Sequence, residues 1–166
     1  TEQSRKAIEI PAQKLHVSYS AEAVEKITEL SKGYPFFIQQ LCQLVFDHAS
    51  DQVITLDDVN AVIPGFFQVL DNGFFKVRYE RCSDADRRFI FAMVACGTLP
   101  CTISNIAKIM KKPVGSISTA RAQLISKGII YSVKYKELDF TVPEFSGFIQ
   151  RLDEYQEWLK TEHLIK

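Results

Sequence analysis

The stretch TISNIAKIMKKPVGSISTARAQLISKGIIYSVKYKELDFT, residues 102–141, decides the fold. Thr102 can cap a short helix running to Met110, with Ile103, Ile106, Ala107 and Met110 recurring on one face. Lys111-Lys112-Pro113 is a turn. A second helix runs from about Gly115 or Ser116 to Lys127 and stops at Gly128. Residues 129–133 and 138–142 are two strand-like runs, and residues 134–137 join them as a hairpin tip. Working outward, Ser83 caps a preceding helix with Asp84 and Asp86 in its first turn. Phe89, Ile90, Met93 and Val94 form its apolar stripe as far as Cys96, and Gly97 closes it.

Three short helices and a two-stranded hairpin make the winged helix-turn-helix arrangement, whose third helix is the one expected to enter a DNA groove. Ile117, Ala120, Leu124 and Ile125 are its inward positions. Ser116, Ser118, Thr119, Ala122, Gln123 and Ser126 point outward, with Arg121 on a flank. Small polar residues permit close approach to DNA, and Ser or Gln can bond base edges or phosphates. Lys111, Lys112, Arg121 and Lys127 are placed for phosphates around the helix ends, and Lys134 and Lys136 for an adjacent groove. The expected DNA-contact set is therefore Lys111, Lys112, Ser116, Ser118, Thr119, Arg121, Gln123, Lys127, Lys134 and Lys136.

Charge is distributed to match. The chain has 166 residues and no net charge. Yet residues 101–140 hold 7 basic and 2 acidic side chains, a net of +5, whereas residues 1–82 hold 8 basic and 11 acidic ones, a net of −3. A local basic footprint is what nucleic-acid contact requires, although scattered cations also serve simply as a solvated face. Protein docking is the competing role for the same surface.

The N-terminal half has helical periodicity throughout. Residues 8–11 (Ile-Glu-Ile-Pro) suggest a short extended piece. Ser20 caps a helix to Ser31 with Ala23, Val24, Ile27 and Leu30 on one side; Gly33 ends it and Pro35 starts the next. The helix over 35–48 is apolar around most of its circumference, as a central core helix should be. Thr55 and Asp58 form a capping-box variant for a helix to about Ile63, broken by Pro64-Gly65. A further helix over 66–81 carries Phe67, Leu70, Phe74, Val77 and Tyr79. At the other end, Pro143 opens a last helix to Thr161, whose Trp158 either packs back on the wing or supports a dimer. The whole is expected to be mainly α: a small helical bundle over residues 1–82, then a winged-helix domain with a C-terminal helix over 83–166.

Several chemistries lack their residues. Cys42, Cys82, Cys96 and Cys101 form no CxxC pair, and with His16, His48 and His163 they show no metal-ligand spacing. Buried thiols of a reducing cytoplasm are the expectation. No run approaches the ~20 apolar residues of a membrane span, and no signal peptide is visible. No phosphate loop, nucleophile elbow or HExxH is present. The chain is therefore expected to be no enzyme by itself, to be cytoplasmic, and, opening without methionine, to be a fragment.

The order of five segments resembles the C-terminal part of AAA+/STAND-type ATPases, the archaeal-type and origin-recognition-like groups among them. Residues 31–41 (SKGYPFFIQQL) look like the GxP segment of the family's helical lid, and 54–59 (ITLDDV) like the lid helix that follows. Residues 79–88 resemble the junction into the winged helix, and 124–131 and 140–145 the recognition-helix end and the wing exit. The resemblance implies that Gly33, Tyr34 and Pro35 lie near the nucleotide, against a preceding nucleotide-binding domain of the same parent chain that carries ATP and Mg. It implies DNA or the ATPase core itself as the winged helix's partner, and it allows an oligomer. The phosphate loop and a strand ending in paired acids for magnesium are missing, as is an arginine sensor at the start of the Pro35 helix, so the fragment is expected to hold no cofactor alone.

Overall fold

The computed structural model describes residues 2–162 and is mainly helical. The chain divides into two compact units, Thr1–Asn72 and Gly73–Lys166.

The first unit is a helical bundle with one small strand pair. Helix α1 (Glu2–Gln13) takes up the residues expected to be extended. Ser4, Ile8 and Ala12, spaced by four, are its buried face, and burial of that stripe outweighs Pro11 near the helix end. Strand β1 (Ser18–Tyr19) leads into α2 (Ala21–Ser31), capped by the Ser20 hydroxyl accepting from the Ala23 amide at 3.2 Å. Lys32 and Gly33 both take left-handed backbone before Pro35 opens α3 (Pro35–His48). Strand β2 (Val53–Ile54) runs parallel to β1, which was not anticipated. Helix α4 (Leu56–Val69) follows, with the Thr55–Asp58 capping box in place. Phe37, Leu41, Val45, Val59 and Phe66 are fully buried at the centre of this unit.

Pro64-Gly65 does not break α4. Pro64 and Asn60, whose carbonyl loses its amide partner to the proline, both lie on the exposed side. Water can serve that carbonyl, so the local cost is tolerated. The helical path then passes through a π-helical turn, Leu70–Phe75. The extra residue moves the buried stripe to Phe66, Leu70, Phe75 and Tyr79, instead of the expected Phe67, Leu70, Phe74, Val77 and Tyr79.

The second unit begins ten residues before the division expected at 82/83. Its first helix, α5 (Lys76–Glu80), supplies Tyr79, and the turn before it supplies Phe75. Phe75 lies 5.9 Å from Phe145 and 5.5 Å from Phe148 between ring centres, and Tyr79 lies 6.3 Å from Phe91. These aromatic contacts draw residues 73–82 into the C-terminal core. Next come α6 (Asp84–Ala95), strand β3 (Cys101–Thr102), α7 (Ile103–Ile109), a 3-10 turn (Val114–Ile117) and α8 (Ser118–Ser126). Strands β4 (Ile130–Lys134) and β5 (Glu137–Phe140) form the expected hairpin. The sheet has three strands, not two, because β3 pairs antiparallel with β5.

The expected single C-terminal helix is two, α9 (Phe145–Gln150) and α10 (Asp153–Thr161). Leu152 between them is extended at ψ 130°. The bend brings Tyr155 and Trp158 onto Phe91 of α6, at 5.4 and 5.6 Å, so Trp158 packs on a helix of its own unit and not on the hairpin expected to be a wing. His163 lies outside the described residues. Among the described residues no helix is long and apolar enough to cross a membrane.

Candidate nucleic-acid interface

The surface begins with α7. The Thr102 hydroxyl accepts from the Asn105 amide at 3.2 Å and caps it, while Ile103, Ile106 and Ala107 are buried. Lys111 then adopts left-handed backbone (φ 53°), and the Lys112 amide donates to the Ala107 carbonyl at 3.0 Å. This closes α7 and redirects the chain into the 3-10 turn. Ile117, Ala120 and Leu124 face inward as expected; Ile125 does not, being exposed. Gly128 (φ 66°) sits where the chain leaves α8 for β4, a conformation that favours glycine.

The β4–β5 hairpin is tied to the helices at its tip. The Ile103 amide donates to the Lys136 carbonyl at 3.0 Å, joining the start of α7 to the turn of the hairpin. A bulge between Ser132 and Lys134 twists β4 just before the turn. Beneath, Ile130, Leu138 and Phe140 are buried.

The ten expected contact residues share one unit, but their side chains are not equally available. Lys112, Thr119, Gln123 and Lys134 are exposed, and Lys112 and Lys134 pair with no acid among the described residues. The Ser116 and Ser118 hydroxyls are exposed but already donate, to the Pro113 carbonyl at 2.8 Å and the Gly115 carbonyl at 2.7 Å. In that state they can accept from a base donor, but cannot donate to a phosphate. Arg121 is half-buried; it donates to the Ser132 hydroxyl at 3.2 Å, while its buried Nε has no partner. Lys111 pairs with Glu162 at 3.2 Å in an exposed contact that a phosphate could displace. The Lys136 ammonium lies 4.9 Å from the Tyr135 ring centre.

Lys127 differs from the rest. Its ammonium donates to the Asp86 carboxylate at 2.6 Å, and the Asp86 side chain is fully buried. The same carboxylate oxygen accepts from the Ser83 amide at 2.9 Å, while the Ser83 hydroxyl accepts from the Asp86 amide at 3.3 Å. One aspartate thus completes the capping box of α6 and anchors the end of α8. Burial pushes the Asp86 carboxyl up. Bonds from Lys127 and Ser83 more than offset it, so the group lies below the ordinary carboxylate value. Sequence spacing placed Lys127 correctly at a helix end, but nothing local reveals a partner 41 residues away.

The other expected site lies in the first unit. Gly33 and Pro35 border an open cavity of about 280 Å³, with Gln3, Ser4, Ile38 and Gln39 among its other walls. The lining has no charged side chain. Among the cysteines, burial raises the Cys82 thiol to about 11, and the Cys101 thiol is raised by its hydrogen bond with Cys96. All four are free. Among the described residues no group of three or more His, Cys, Asp or Glu could hold a metal ion.

Residues 72–149 match the sequence profile of a domain of unknown function (DUF8462). The match opens within a residue of the start of the second unit and ends inside α9. No curated protein matches the chain.

Proposed function

We propose that the second unit is a winged helix-turn-helix that contacts double-stranded DNA, in a chain whose first unit is the lid of an AAA+/STAND-type ATPase. The observation that carries the reading is the mounting of the basic segment. Helices α7 and α8, set apart by a tight turn, and a wing pinned to the α7 start present Lys112, Lys134 and Gln123 to solvent from one compact unit. The net charge of +5 over residues 101–140 supplies the complement to a phosphate backbone. Lys111, Lys112, Lys134 and Lys136 make phosphate contacts, and Gln123 and Thr119 are the side chains able to reach base edges. Lys127 is a structural residue of this surface, not a contact. Gly33, Tyr34 and Pro35 face the nucleotide domain of the parent; the uncharged cavity that Gly33 and Pro35 border, and Tyr34 does not, suits a base edge better than a triphosphate.

Duplex binding at two salt concentrations tests this. With about four phosphate contacts, affinity should fall roughly 150-fold for a fourfold rise in salt. Changing Lys112 and Lys134 to Ala should flatten that dependence, by about one unit of log–log slope per lysine. Undetectable duplex binding at low salt, or a slope indifferent to both changes, rejects the DNA reading.

A second reading has its own support. Val114 and Ile125 are 45% and 39% exposed on the elements that would face DNA, and the only cation on α8 itself is the half-buried Arg121. An apolar-edged helix suits a regulatory winged helix docked on its own ATPase core. Under that reading the isolated chain self-associates in light scattering and ignores DNA.

A further inference from the structure

The wing tip is built differently from the rest of the basic surface. Tyr135 is 87% exposed, so its ring contributes almost nothing to folding by burial. It stands between two lysines: Lys136 has its ammonium 4.9 Å from the ring centre, and Lys134 is exposed and unpaired among the described residues. Further along β4, Tyr131 is 45% and Val133 38% exposed. The tip is also held in place. The Ile103 amide bonds the Lys136 carbonyl, and cross-strand pairing continues to Lys134 and Glu137 at the turn. Two acids share the hairpin, but Asp139 accepts from the Phe140 amide at 2.7 Å and Glu137 is half-buried at the β5 start. Glu137 faces Lys134 across the strands, so the tip (residues 134–137) keeps a net positive charge of one, with its two ammonium groups on either side of Tyr135.

A solvent-facing aromatic ring on a held turn, flanked by ammonium groups, matches one chemistry well. An aromatic face stacks on a nucleobase, and each neighbouring ammonium meets a phosphate. Bases inside a continuous duplex already stack on both faces and have none to offer. An unpaired base does. We infer that the wing tip is a single-strand contact: Tyr135 stacks on an unpaired base while Lys134 and Lys136 hold the flanking phosphates. The protein then prefers a duplex bearing a single-stranded extension over a blunt one. This rests on the nucleic-acid reading above and sharpens its substrate.

The test uses the full chain and three fluorescently labelled oligonucleotides of common sequence: blunt duplex, duplex with a single-stranded overhang, and single strand. Anisotropy titrations should place the overhang about tenfold tighter than the blunt duplex. Tyr135→Ala should abolish that preference while leaving blunt-duplex affinity within about twofold, since base stacking is what the change removes. Tyr135→Phe should keep the preference, because the ring and not the hydroxyl does the stacking. Tyr135 is exposed, so neither variant removes a core contact, and circular dichroism checks the fold. Equal affinity of the wild type for overhang and blunt duplex overturns the inference but leaves duplex binding standing. So does a preference that survives Tyr135→Ala. Failure to bind any of the three oligonucleotides removes both this inference and the DNA reading beneath it.

Discussion

Asp86 shows how one buried residue can join the start of one helix to the end of another. Its carboxylate closes the capping box of α6 and receives Lys127 from the end of α8. One oxygen takes those bonds, and Oδ1 is buried without a partner. Removing the charge leaves Lys127 uncompensated and α6 poorly capped. Asp86→Ala should therefore cost about 2–4 kcal/mol, with the one-third exposure of Lys127 placing the effect below that of a fully buried pair. Urea unfolding measures it. The pH dependence has a definite sign. A carboxyl whose folded value is depressed contributes its full stability above its unfolded value, near 4, and loses it as pH falls through the folded value. The melting temperature of the wild type should fall on acidification below about pH 4 more steeply than that of Asp86→Asn. Parallel acid profiles would show that the pair adds no net stability.

At the scale of elements, local signals and their limits separate cleanly. Ser20, Thr55, Ser83 and Thr102 all cap the helices their sequence contexts suggest, because capping involves residues only three apart. Pro64 is the counter-example. Its local preference is to end a helix, yet α4 continues through it because Val62, Phe66 and Leu70 gain more by burial than one solvent-facing carbonyl loses. Pro64→Ala should then stabilise the chain by about 1–3 kcal/mol, restoring a helical hydrogen bond on an exposed face. A thermal melt of that variant no higher than the wild type would mean that Pro64 is accommodated without strain. The π-turn behaves alike: it was invisible to a 3.6-residue periodicity, and it is what puts Phe75 rather than Phe74 into the core. The proposed interface was legible in part. The inward face of α8 and the lysines of the turn and the hairpin follow from spacing. Which cations are already engaged does not, since Lys127 and Lys111 meet partners 41 and 51 residues away.

At the scale of the whole molecule, the chain is two units, and the boundary is the consequential point. Ser83 looks like a beginning because it caps a helix after a run of polar residues. Phe75 and Tyr79 nevertheless belong with Phe91, Phe145 and Phe148. The Tyr79 hydroxyl also donates to Glu154 at 2.6 Å, and Arg87 stacks 4.5 Å from the Tyr79 ring. A protein starting at Gly73 should fold cooperatively on its own. One starting at Ser83 should lose several kcal/mol, roughly 3–5 for Phe75 alone. Comparing the two by urea denaturation tests the assignment, and equal midpoints would return the boundary to Ser83.

Taken alone, the sequence determined what short-range chemistry determines. Helix starts, the hairpin, the inward stripe of α8 and the concentration of positive charge over residues 101–140 all follow from residues within one or two turns of each other. The tertiary structure decided the rest. It added the pairing of β3 with β5 and of β1 with β2, carried α4 through Pro64, bent the chain at Leu152, moved the unit boundary and committed Lys127 to Asp86. Each of these depends on burial or on a partner distant in the chain, and local periodicity carries no information about either.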